Sequence, residues 1–121
     1  MANQFVTARG ISGIIYTLDA YMADETTWND VPVIYMFARR DIDSWFVAYI
    51  GQAQSAKDRI PGHERWADAV KSHKVTHVLA LVSSPDSGAR EKIERDLIQS
   101  HNPPLNVQHM GALGGLLRGT R

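Results

Sequence analysis

The sequence predicts an α+β domain: a small, mostly antiparallel central sheet flanked by helices. Three observations carry that expectation. Residues 5–51 hold three runs rich in β-branched and aromatic residues, separated by polar turns. After Gly51 the apolar spacing changes from that of a strand to that of a helix. One further apolar run, VTHVLALV at 75–82, sits between two helical stretches and reads as a buried strand. The order β-β-β-α-α-β-α, with a short final strand, groups strands first and packs helices onto them afterwards.

Each element follows from local chemistry. Between Phe5 and Tyr21, ISGIIYTL predicts the first strand. MADETTWND is polar and acidic and reads as a surface connection. VPVIYMFA (31–38) predicts the second strand, with Pro32 near its start, where proline is tolerated. SWFVAYIG (44–51) predicts the third, joined to the second as a hairpin across RRDIDS. Alternation puts Val33, Tyr35 and Phe37 on one face of their strand, and Trp45, Val47 and Tyr49 on one face of theirs. QSAKDRI suits a short helix ended by Pro61-Gly62. HERWADAVKSHK follows, with Trp66, Ala69, Val70 and His73 at helical spacing. Ser84-Pro85-Asp86-Ser87 offers N-cap residues for a third helix reaching about His101, where Asn102-Pro103-Pro104 stops it. LNV (105–107) reads as a last short strand and GALGGLLRGTR as a glycine-rich tail.

Composition narrows the class. A chain of 121 residues, 44% apolar and 21% charged, is one globular domain and not a disordered or fibrous chain. The absence of cysteine excludes disulfides and thiolate metal centres and suits a reducing compartment, so a cytoplasmic location is expected. No apolar run is long enough for a membrane span, and MANQFVTARG does not read as a secretory signal. The 13 basic and 13 acidic residues balance, so overall charge gives no nucleic-acid signal. Locally, residues 1–30 carry Arg9 against Asp19, Asp24, Glu25 and Asp30, while residues 53–74 are mildly basic.

The third helix holds the first candidate. Ile93, Glu94, Leu97, Ile98 and His101 share one face, with Glu91, Lys92, Arg95, Asp96 and Gln99 on the solvent side. A carboxylate within an apolar stripe is costly unless paired or bound to a cation. Arg90, one turn earlier, is one possible partner for Glu94. A divalent metal held through oxygen is the other. Tyr35 and Tyr49, on neighbouring strands, can project into one shallow site. Arg59 and His63, four residues apart, supply what phosphate-ester hydrolysis needs: a permanent fork for phosphate oxygens and a group that can accept, donate or relay a proton near neutral pH. His73 and His77 are also four apart, but the helix-to-strand change between them argues against a shared metal.

In this order, these residues resemble the GIY-YIG nucleases. Val33-Ile34-Tyr35 matches the first motif and Tyr49-Ile50-Gly51 the second. Arg59 matches the helix arginine, His63 the His-or-Tyr position after it, Glu94 the metal-binding glutamate and Asn106 the closing asparagine. Val33 stands in place of the first glycine, and the interval from Tyr35 to Tyr49, fourteen residues, is somewhat long. Gly13-Ile14-Ile15-Tyr16 is a decoy of the first motif, too far from Tyr49 for a hairpin.

The resemblance implies a DNA endonuclease that hydrolyses phosphodiesters by in-line attack of water, with one divalent cation, Mg2+ or Mn2+, held by Glu94. Arg59 would bind the non-bridging oxygens, and the general base would be Tyr35, Tyr49 or His63. Gly51 and Lys57 would lie against substrate, Gly51 letting the backbone approach it or the next helix. Asn106 would be structural. The implied partner is DNA, and no separate base-reading module is legible, so a homodimer or protein partner would provide targeting. A catalytically silent module that binds DNA or a repair protein is the alternative. On this reading residues 1–30 are an extension packed on the domain, 31–108 the nuclease domain and 109–121 the tail.

Overall fold

The computed structural model describes residues 4–25 and 27–106. Strands β1 (Phe5–Arg9), β2 (Ile15–Met22), β3 (Val33–Arg40), β4 (Trp45–Ala53) and β5 (His77–Val82) form a five-stranded sheet in the order β1-β2-β5-β3-β4. Every neighbouring pair is antiparallel. Helices α1 (Ala56–Arg59), α2 (Trp66–His73) and α3 (Ser87–His101) cover the two faces. On one face Val33, Tyr35, Phe37, Val78 and Ala80 pack with Ile60 and the α2 residue Ala69. On the other, Leu18, Ile34, Met36, Ile50 and Leu79 pack against Leu97, Ile93 and Ile98 of α3. The apolar run of β5 thus becomes the central strand, buried from both sides, and the expected α+β class holds.

Three local expectations are corrected. The single strand expected between Phe5 and Tyr21 is a hairpin. Gly13, at φ 94°, turns the chain between β1 and β2, and Gly10 N–H donates to Ile14 O at 2.8 Å. Residues 1–30 therefore supply two strands of the sheet as well as the link to β3, more than an extension laid on its surface. Asp96, expected toward solvent, instead holds that turn. Its carboxylate accepts from Ser12 N–H at 2.9 Å, Ser12 Oγ–H at 2.7 Å and Tyr16 O–H at 2.8 Å. These hydrogen bonds, Ser12's first, keep its pKa below the usual carboxylate range.

The second correction concerns β4. The ladder runs Phe37 opposite Tyr49 but Ala38 opposite Val47, so Ala48 is the extra residue of a β-bulge. The bulge reverses the alternation. Trp45 and Val47 pack in the α3 layer, while Phe46 and Tyr49 pack in the layer of α1 and α2. Trp45, Val47 and Tyr49 do not share a face; Val33, Tyr35 and Phe37 do.

The third lies at the C-terminal end. Residues 104–106 form a helical turn, so Leu105 and Asn106 are not a strand; Val107 and the tail expected at 109–121 lie outside the described residues. The Asn106 side chain pairs with β4 in place of a strand. Its Oδ1 accepts from Ile50 N–H at 2.7 Å and its Nδ2 donates to Ile50 O at 2.9 Å, both buried. One amide side chain thus imitates a peptide on the outer edge of β4 and ties the C-terminal turn to the sheet.

Candidate active site

The sheet face under α1 and α2 gathers most of the expected site. Tyr35 comes from β3, and Tyr49 and Gly51 from β4. Arg59 ends α1, and His63 follows the Pro61-Gly62 turn, where Gly62 sits at φ 71°. Ser55 starts α1 by accepting from Asp58 N–H at 3.2 Å. The rings of Tyr35 and Tyr49 lie 6.2 Å apart, and each lies edge-on to His63, at 5.5 and 5.1 Å. Phe37 is the hub of this cluster, 4.9 Å from His63, 5.6 Å from Tyr49 and 5.0 Å from Trp66.

Gly51 stands directly opposite Tyr35 in the ladder, and a Cβ there would lie 2.5 Å from both Cζ and the hydroxyl oxygen of Tyr35. The expected reason for this glycine, backbone approach to substrate or helix, is replaced by another. The Tyr35 phenol passes over the Gly51 backbone, and no side chain fits beneath it. Gly51→Ala should therefore cost about 1–3 kcal/mol of stability through overpacking and displace the Tyr35 ring. Urea denaturation reads the first effect, and loss of the Tyr35–His63 hydrogen bond in NMR spectra of the imidazole reads the second.

The His63 side chain has no solvent exposure. Its Nδ1 accepts from Arg65 N–H at 3.0 Å, so a neutral ring carries its proton on Nε2. That Nε2–H donates to the Tyr35 hydroxyl oxygen at 2.8 Å. Burial, then the nearby charge of Arg59, lowers the His63 pKa to about 4. The residue expected to titrate near neutrality is therefore a neutral donor, with neither nitrogen open to take a proton from water. Stability should follow. Unfolded, His63 titrates near its ordinary 6.5; folded, it titrates near 4. Its contribution is present above pH 6.5 and is lost as pH falls toward 4, up to about 3 kcal/mol in all. In His63→Phe protein, that part of the acid slope of unfolding free energy should vanish.

Arg59 is held end-on by a residue that sequence reasoning missed. Its two terminal nitrogens donate to the two carboxylate oxygens of Glu64, each at 2.8 Å. This pair lowers the Glu64 pKa to about 2, with the Arg59 hydrogen bond as first cause. Only the fold over Pro61-Gly62 brings residues five apart into this geometry, and no helical or strand spacing encodes it. Lys57 is exposed on α1, and its backbone N–H donates to Asn29 O at 3.0 Å.

Glu94 is half-buried on α3 and, among the described residues, takes part in no hydrogen bond or salt bridge. Arg90 is not its partner. Arg90 donates to Gln52 Oε1 at 2.8 Å and to the carbonyls of Ser84 and Pro85, each at 2.9 Å. Burial first, and Glu91 next, raise the Glu94 pKa to about 6, while the Arg95 charge lowers it. Its charge in turn pushes both phenols up. Arg95, at the next position, offsets part of this charge without forming an ion pair, and a desolvated carboxylate with no bonded partner fits a divalent metal that keeps most of its waters. No group of three or more His, Asp or Glu side chains gathers among the described residues. His73 stacks on Phe46 and His77 meets the edge of Trp45, rings that belong to opposite sheet faces.

No protein-family model, no curated protein and no solved structure matches the chain. No helix among the described residues is long and apolar enough to cross a membrane. The functional reading rests on the residues themselves.

Proposed function

We propose that the protein is a metal-dependent DNA endonuclease of the GIY-YIG type. The observation that carries this reading is the convergence of Tyr35, Tyr49, Arg59 and His63 on one face from three separate parts of the chain, with the half-buried carboxylate of Glu94, on α3, close enough for its charge to act on both phenols. Glu94 would hold Mg2+ or Mn2+, which supplies charge stabilisation at the phosphate and the leaving oxygen. Arg59 would meet the non-bridging oxygens as a permanent cation.

The base is narrowed to the phenols. His63, buried and already donating, positions Tyr35 and does not itself take a proton. Burial raises both phenols, and the Arg59 charge lowers both. Tyr35 is 1% exposed and bonded to His63, whereas Tyr49 is only partly buried. Tyr49 is therefore the hydroxyl that can meet an attacking water, with Tyr35 and His63 fixing its surroundings; it would accept the water's proton only as the phenolate, which burial opposes and the Arg59 charge favours. A second reading, the silent binding module, is favoured by Glu64, which occupies two of the five Arg59 donors that substrate would need.

Cleavage assays with supercoiled, nicked, flapped and branched DNA in magnesium separate the two. Nicking or cutting in magnesium and none in EDTA is expected; binding with no cleavage of any substrate assigns the silent module. Affinity for plain duplex should be modest, because net charge is zero. It should fall by roughly one to two powers of ten between 50 and 200 mM salt, as for a few phosphate contacts. Filter binding across that range checks it.

A further inference from the structure

Behind the Pro61-Gly62 turn lies a cavity of about 200 Å3, lined by Trp28, Trp66, Ile60, Pro61, Gly62 and Glu25, with Ala23 at its exposed rim. Its position is specific: Ile60, Pro61 and Gly62 are the three residues between Arg59 and His63. Trp66 touches Phe37, which touches His63 and Tyr49, so a single aromatic residue separates the cavity from the site. A second cavity, of about 430 Å3, adjoins the first through the shared residues Trp28 and Pro61 and is lined on its far side by Lys57 and Asn29.

We infer that the first cavity receives one unpaired nucleobase of the strand whose phosphate lies on Arg59. The inference rests on the nuclease reading above and adds a substrate class to it: DNA with a base free to leave the stack. The cavity is smaller than the pockets that take drug-sized ligands, which matches a single flat heterocycle. Two indoles line it, and bases stack on aromatic side chains whatever their identity. Among the described residues its lining holds one carboxylate and no cation, so it suits a neutral ring and not a phosphate. The cations lie just outside: Arg59 is on one side of the turn, where a flanking phosphate of a splayed strand would run, and Lys57 shares the adjoining cavity with Asp30. The acidic residues of the β2–β3 connection, which oppose a phosphate backbone, do not oppose a base.

The test is fluorescence anisotropy on the full chain in EDTA, where nothing is cut. Three probes are compared: a labelled single strand of about a dozen nucleotides, within the usual site sizes, the same strand with abasic residues at its centre, and its paired duplex. The wild-type protein should bind the base-bearing strand about ten-fold or more tightly than the abasic one, as stacking of one base predicts. Trp28→Ala should remove that preference, and Trp28→Phe should keep most of it. Ala23→Trp fills the rim without deleting a wall, and it should also remove the preference, which guards against a Trp28→Ala protein that folds poorly. None of the three should change duplex binding. A wild-type protein that binds both single strands equally, or an Ala23→Trp protein that keeps the preference, overturns the inference. If duplex is still bound, and cut in magnesium, the nuclease reading survives that result; if no DNA is bound or cut, both fall.

Discussion

In Glu94→Gln protein, cleavage in magnesium should fall by about three powers of ten or more while the fold becomes more stable in the absence of metal. The two effects have one cause. The Glu94 carboxyl titrates near 6 in the folded chain against 4.5 when unfolded. A group raised in this way stabilises the fold below pH 4.5, and that contribution is lost as pH rises through 6. At pH 7 to 8 its charge is therefore a burden, of about 1 kcal/mol once partial solvation is allowed for. Glutamine removes the burden and also removes the ligand. A metal at a phosphoryl site contributes several kcal/mol of transition-state stabilisation, and each 1.36 kcal/mol is tenfold in rate. Thermal melts in EDTA and in magnesium, beside single-turnover cleavage, read both. Wild-type protein should gain stability from magnesium, and Glu94→Gln protein should not. A variant that cuts at the wild-type rate would remove Glu94 from the site, and one that melts earlier in EDTA would contradict the burial argument.

Arg59→Ala should lower the cleavage rate by about two to three powers of ten, the range seen when a preorganised donor to developing negative charge is removed. The pH profile should keep its shape, because a guanidinium does not titrate in the accessible range. Arg59→Lys should restore little, since a single ammonium cannot present the fork. Stability should hardly change: the Arg59–Glu64 pair is partly exposed, and such pairs contribute little. Glu64 gives the complementary test. Its carboxylate sits on the end of the fork that a phosphate would use, so Glu64→Gln should lower KM several-fold and leave stability within a few tenths of a kcal/mol. Equal KM in the two proteins would mean that substrate approaches Arg59 from its Nε side, where the fork is not engaged by Glu64.

How much of this was legible depended on the range over which each feature is determined. Alternation and propensity are local, so β3, β4, β5 and the three helices stand close to where the chain's own patterning puts them. The hairpin at Gly10–Gly13 was also local, but the β-branched residues on both sides of it masked the two glycines that break the strand. The bulge at Ala48 could not be read, because register is a property of two strands and not of one. It reversed the face assigned to Trp45 and Val47 but left Tyr49 where the site needs it. The carboxylates show the same division. Periodicity correctly placed Glu94 among apolar neighbours, yet could not show that Arg90 is committed to Gln52 and two carbonyls. Asp96 looked solvent-facing because its partners, Ser12 and Tyr16, are 84 and 80 positions away in the chain. His63 was legible as a residue and not as a state: its tautomer is fixed by the backbone N–H of Arg65, which no side-chain pattern reports.

The strand order has a consequence for how the chain reaches this shape. β1 with β2, and β3 with β4, are hairpins whose partners are neighbours in sequence, and such units form within microseconds. β2 and β3 are also consecutive, yet they never pair; β5 lies between them. The two hairpins thus join into one sheet only when residues 77–82 insert between them, a contact of long sequence separation on both sides and the slow kind to make. Until residues 77–82 are available, neither hairpin has the partner strand that joins it to the other, and a two-stranded ribbon alone is only marginally stable. The segment that completes the sheet is followed directly by α3, so the helix that carries Glu94 is made last and packs on strands that β5 has joined.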